Sequence, residues 1–185
     1  MLCNTGFHRL LASCRIGLLL LGVPVAAPAF SEEPSTLQVV PAKPFPNLIY
    51  KDANGKGRLL SQDIGKLTIV HFWATWCEAC VGEYPQLSDI RKRFADRGLK
   101  VVTITMDGLK NTKNVREFYE KYHVGDLPPY FDTGTNAFRQ AKTRGLPTSF
   151  FIDANGMKIA ISEGPLNWQS KDALGFIEFH LRAAQ

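Results

Sequence analysis

Residues 69–80 read Ile-Val-His-Phe-Trp-Ala-Thr-Trp-Cys-Glu-Ala-Cys, an apolar run that ends in two cysteines spaced by Glu78 and Ala79. The largely continuous apolar character of Leu67 to Trp73 predicts a strand buried on both faces. A helix is predicted from about Cys77 to Phe94, with Leu87, Ile90 and Phe94 on one face. The dithiol therefore falls where a strand gives way to a helix. The first turn of a helix has unpaired N–H groups and a partial positive charge, which stabilise a thiolate. Thiol–disulfide exchange is the chemistry this junction points to.

The N-terminal region narrows the compartment. His8, Arg9 and Arg15 are the basic residues before an apolar run from Ile16 to Ala27, and no acid occurs before Glu32. Ala27-Pro28-Ala29 supplies small residues at a cleavage site, so residues 1–29 read as a secretory signal peptide. An uncleaved membrane anchor is the rival, but the run is shorter than the roughly 20 apolar residues a spanning helix needs. Gly22, Pro24 and Pro28 also interrupt it. Cleavage removes Cys3 and Cys14 and leaves Cys77 and Cys80 as the remaining thiols. Secretion would place them where disulfides persist, in the periplasm. A bridge closing so small a loop contributes little as a staple. Without Arg9 and Arg15 the 22 basic residues become 20 against 17 acidic, a net charge of about +3. That is too mild to indicate a nucleic-acid partner.

Residues 30–46 carry Pro34, Pro41, Pro44 and Pro46 and read as an extended linker, with the folded domain at 47–185. Asn47 to Leu60 predicts a hairpin turning at Asp52-Ala53-Asn54-Gly55. Asp153-Ala154-Asn155-Gly156 repeats those letters between Thr148–Ile152 and Met157–Ile161, which reads as repeated turn chemistry. Lys100 to Met106 is a second buried strand. Val115, Phe118, Tyr119 and Tyr122 recur at helical spacing, Asn136 to Lys142 suits a short helix, and Trp168 to Leu181 a closing one. Strands alternating with helices, then a hairpin, give a mixed sheet covered on both faces.

Phe-Trp-Ala-Thr-Trp-Cys-Glu-Ala-Cys-x-x-Glu-x-Pro over 72–85, with Gly145-Leu146-Pro147-Thr148 downstream, resembles the TlpA/ResA branch of thioredoxin-like thiol-disulfide oxidoreductases. The resemblance covers about residues 38–183. It implies an α/β thioredoxin-like fold: a central mixed β-sheet flanked by helices on both faces, an N-terminal β-hairpin and an extra αβ insertion. Pro147 follows Cys80 by 67 positions, and the surplus over a plain thioredoxin matches that insertion. The resemblance further implies a cis Leu146–Pro147 bond, with Pro147 beside the disulfide and the neighbouring backbone free to pair with an extended client. Trp76, Leu146 and Pro147 are then the client-binding residues; Tyr84 and Phe138 border the same groove by fold analogy.

Cys77, at the helix start, is the expected nucleophile, and Cys80, one turn in, the shielded resolving thiol. Cys80 must lose a proton. Glu83, three residues on and on the same helical face, is one candidate base. His71 is the other, where this branch often has asparagine. It is either a proton shuttle or a polar core residue. Potentials on this scaffold span roughly −270 to −120 mV, about 7 kcal/mol, and better stabilised thiolates make stronger oxidants. Glu78 between the cysteines opposes the thiolate, so a protein-disulfide reductase is expected, monomeric and without cofactor beyond the Cys77–Cys80 couple. The family implies clients such as apocytochrome c or an oxidase copper-site protein, and a membrane electron donor of the DsbD/CcdA kind. The alternative is a copper-binding chaperone on the same two sulfurs, for which His123 and His180 qualify as third ligand by residue type alone. A peroxiredoxin-like reading lacks the threonine-rich loop with a lone cysteine.

Overall fold

The structure, a computed structural model, describes residues 37–183. The signal peptide read over residues 1–29, with Cys3 and Cys14, lies outside them, as does the start of the linker. At the centre runs β4 (Leu67–Trp73), buried at every position. Alternate side chains of a strand point to opposite faces. Leu67, Ile69 and Trp73 accordingly join one core layer, while Val70 and Phe72 join the other. A strand covered on both faces has no polar side to present, which is why the run is continuous.

β4 pairs in parallel with β5 (Leu99–Thr105) and antiparallel with β7 (Thr148–Asp153). The remaining strands are β1 (Leu37–Pro44), β2 (Ile49–Asp52), β3 (Gly57–Leu59), β6 (Pro129–Phe131) and β8 (Met157–Glu163). They complete one mixed sheet ordered β1-β8-β7-β4-β5-β6-β2-β3. The helices are α1 (Glu78–Phe94), α2 (Thr112–Tyr122), α3 (Asn136–Gln140) and α4 (Lys171–Ala183). α1, α2 and α4 contribute Tyr84, Leu87, Phe118 and Ile177 to the first core layer, while α3 contributes Ala137 to the second. Helices therefore cover both faces, as the thioredoxin-like reading requires. The insertion is α2 with β6, which joins β5 in parallel and links the N-terminal hairpin to the sheet.

Both Asp-Ala-Asn-Gly turns use the same bonds. Asp52 Oδ1 accepts from Asn54 N and Lys56 N, and Asp153 Oδ1 from Asn155 N and Met157 N. Gly55 and Gly156 close them at φ +79° and +74°, a conformation glycine adopts without steric cost.

Two expectations are corrected. The linker read over residues 30–46 contains a strand: Leu37–Pro44 pairs antiparallel with β8, so the folded unit includes residues 37–46. The prolines misled because a proline-rich stretch suits a tether, whereas proline is equally tolerated on an edge strand or at a bulge. The register of β1 shifts between Val39 and Lys43, around Pro41. The closing helix begins at Lys171 rather than Trp168. Ser170 Oγ accepts from Ala173 N at 3.2 Å, which caps the helix there. Trp168 stays in the preceding loop, fully buried.

Candidate active site

The turn Ala74-Thr75-Trp76 carries the chain from β4 to α1, and Cys77 N donates to Ala74 O at 3.2 Å. Cys77 is the N-cap of α1, with extended backbone, and its Sγ accepts the Cys80 N–H at 3.3 Å. The sulfur thus sits where capping oxygens sit in other helices, at the positive end of a 17-residue helix. Cys77 and Cys80 are joined as a disulfide. Their environments differ. Cys77 is 9% exposed and faces a groove of about 480 Å³ lined by Trp76, Met106, Thr135, Phe138, Gly145 and Leu146. Cys80 is fully buried. One sulfur can be reached from outside and the other cannot.

The Leu146–Pro147 peptide bond is cis. Leu146 and Gly145 share the groove with Cys77, whereas Pro147 lines an adjoining cavity with Arg144, Thr148 and Glu163. Pro147 O accepts from Gly164 N at 2.9 Å and Gly145 O from Thr148 Oγ1 at 2.8 Å, which fix this segment. Trp76 is 70% exposed beside the nucleophile. Phe138 reaches the groove as expected, but Tyr84 does not. It lies on the sheet-facing side of α1, fully buried, its ring 4.3 Å from that of Trp73 and its hydroxyl 2.6 Å from that of Tyr119.

Glu83 is buried one turn beyond Cys80. Its Oε1 accepts from Leu166 N at 2.7 Å and Trp168 Nε1 at 3.0 Å. Its Oε2 is buried with no partner. Burial raises the carboxyl pKa to about 7, against the opposing pull of those two bonds. A carboxyl held half-ionised near neutrality can take and return a proton. His71, fully buried on β4, places Nδ1 2.8 Å from Ser149 Oγ, while its Nε2 has no partner. Its ring lies edge-on to Tyr84 and Trp168. Desolvation takes the imidazole pKa down to about 3, so the ring stays neutral where thiols react. Of the two candidate bases, Glu83 therefore has the matched acidity.

Sequence reasoning missed the partners that hold these groups. Trp168, assigned to the closing helix, instead anchors Glu83. Thr75 was passed over, although its N and Oγ1 donate to Asp107 at 2.9 and 2.5 Å. A carboxylate directly after a buried strand, at the strand end where sites in α/β sheets gather, was the available signal. Among the described residues no three His, Cys, Asp or Glu side chains converge as a metal site. His123, which ends α2 in the left-handed region, and His180, whose ring lies tilted 4.4 Å from that of Phe176, belong to no such group.

The family model described as AhpC/TSA matches residues 41–160. The thiol-disulfide oxidoreductase ResA of Bacillus subtilis (strain 168) is 31% identical over 121 residues, 65% of this chain and 66% of that protein. A crystal structure of a thiol:disulfide interchange protein of the thioredoxin family from Chlorobium tepidum TLS is similar with a TM-score of 0.61. It is 28% identical, and the match covers 77% of this chain and 99% of that one. The exposed lipoprotein thioredoxin Etrx1 of Streptococcus pneumoniae strain TIGR4 is 26% identical with a TM-score of 0.57, over 75% of this chain and 99% of that one.

Proposed function

This chain belongs to the AhpC/TSA family and is a thiol-disulfide oxidoreductase of the ResA kind, and from that premise we propose that it reduces protein disulfides in the periplasm by cycling Cys77 and Cys80. The observation that carries the reading is the unequal sulfur pair: one at a helix N-cap facing a groove, the other sealed behind it.

In the reduced protein the Cys77 thiolate attacks one sulfur of a client disulfide. A new S–S bond forms and the client's other sulfur leaves as a thiolate, which takes a proton. Cys80 passes its proton to the Glu83 carboxylate and attacks Cys77 Sγ. The mixed disulfide breaks, the client's second sulfur is protonated, and the Cys77–Cys80 disulfide remains. Two electrons have moved from the protein to the client, with one proton from Cys80 by way of Glu83 and one from solvent in place of that released when Cys77 ionised. The apolar groove and the backbone at Leu146 position an extended client segment beside Cys77. His71 acts as a neutral partner of Ser149, packing the strand beneath.

Clients whose cysteines must be kept reduced fit this direction: the haem-attachment cysteines of apocytochrome c, or the copper-site cysteines of an oxidase. A membrane electron donor of the DsbD/CcdA kind would return the pair to the dithiol. The relation to an exposed lipoprotein thioredoxin supports a site of action outside the cytoplasm. Equilibration against a dithiothreitol or glutathione buffer tests the direction. A potential at the reducing end of the scaffold's range, about −270 mV, is expected; one near −120 mV overturns the reductase reading.

A further inference from the structure

We infer that Asp107 is a positioning residue for Cys77: it ties down the turn that presents the sulfur and, through its charge, opposes ionisation of that thiol. The inference deepens the proposed function and rests on Cys77 as the attacking group. Asp107 lies just past the end of β5 and is 8% exposed. Its carboxylate accepts the Thr75 N–H at 2.9 Å, the Thr75 hydroxyl at 2.5 Å and the Thr105 hydroxyl. Its own N–H donates to Thr105 Oγ1 at 3.2 Å, and its carbonyl accepts from Asn111 Nδ2 at 2.5 Å. Thr75 is two residues before Cys77, and Met106, beside Asp107, lines the same groove as Cys77. One side chain therefore joins the two strand ends that flank the nucleophile.

The partners of this carboxylate are neutral. Hydroxyls and an amide satisfy its lone pairs without cancelling its charge. A carboxylate bonded to the turn two residues before a thiol disfavours the thiolate, against the helix dipole that favours it. The other charged groups around the turn do not offset it. Glu78 on α1 has the same sign. Arg144, from the Leu146 segment, is paired with Glu163 at 3.3 Å, and Arg139 on α3 is exposed, where water and salt screen its charge. Lys110, on the turn beyond Asp107, is exposed. Less stabilised thiolate means a more reducing couple.

The test measures alkylation of Cys77 in the reduced protein against pH, with each thiol mapped by mass, and equilibrium with dithiothreitol. Asp107→Asn keeps the shape and removes the charge. The pH midpoint for Cys77 falls, and the equilibrium moves about tenfold toward reduced protein, about 30 mV for a two-electron couple. A midpoint and equilibrium that overlay the parent's overturn the inference. Thr75→Val keeps the charge and deletes one donor to it, so the midpoint rises; this variant also decides the matter should Asp107→Asn fail to fold. A midpoint at or below the parent's in Thr75→Val overturns the inference. Failure of the underlying reading looks different: in the parent itself, Cys80 would be alkylated before Cys77.

Discussion

Cys80→Ser is expected to stop turnover and leave Cys77 covalently joined to its client. The first attack needs the sulfur that faces the groove, and that sulfur is intact in the variant. The second attack needs a thiol held one turn away on the same helix, where it is fully buried. Intramolecular groups held in place act at effective molarities on the order of 10⁵ M or more. A millimolar thiol from solution is a poor substitute, so turnover of a model protein disulfide falls by roughly a thousandfold or more. Non-reducing electrophoresis and intact mass would show the adduct accumulating, and its identity would name the client. Cys77→Ser should form no adduct. The opposite pattern, adducts from Cys77→Ser alone, would reverse the roles given to the two sulfurs.

Glu83→Gln separates proton transfer from architecture. Gln can still accept from Leu166 N and Trp168 Nε1, so the fold is kept. What is lost is a group that titrates near pH 7 beside Cys80. Acid–base assistance contributes about a hundredfold or more, and release of the mixed disulfide should slow by that order. The pH–rate profile should lose its inflection near 7; a profile that overlays the parent's removes Glu83 from the proton path. Stability provides a second readout with a fixed sign. The native carboxyl holds its proton up to about pH 7, while the unfolded one releases it near 4.5. Between those values the unfolded state binds fewer protons, so the parent's stability falls as pH rises through this window. At about 1.4 kcal/mol per pH unit the loss is on the order of 3 kcal/mol, and it is absent from Glu83→Gln. Denaturant melts at pH 4.5 and 8 would measure it.

How much could be read in advance follows from how local each signal is. β4 and the start of α1 were legible because burial on both faces and the cysteine spacing are written within a dozen residues. The two glycine turns are equally local. Glu83 could be named from its spacing to Cys80, but its pKa could not: burial in the folded core raises it, against the bonds from Leu166 and Trp168, some 83–85 positions away. The same holds for Asp107, whose partner Thr75 is 32 residues earlier. His71 read as either shuttle or filler because the imidazole is chemically suited to both. Its complete burial, which keeps the ring neutral, is a property of the packed sheet that no local pattern carries. β1 was mistaken because its composition describes an unpaired chain, and only the free edge of β8 makes a strand of it.

That outer strand has a further consequence. β1 ends the order of strands, and such margins recruit stray chains through their unpaired amides. Pro41 and Pro44 have no amide hydrogen to offer, and the irregularity around Pro41 breaks the straight ladder that lateral growth requires. Replacing both with threonine should raise self-association at high protein concentration, followed by light scattering, with little change in redox activity; scattering equal to the parent's would remove the idea. The residues that disguised this segment as a tether are then the ones that keep the sheet from extending beyond its own molecule.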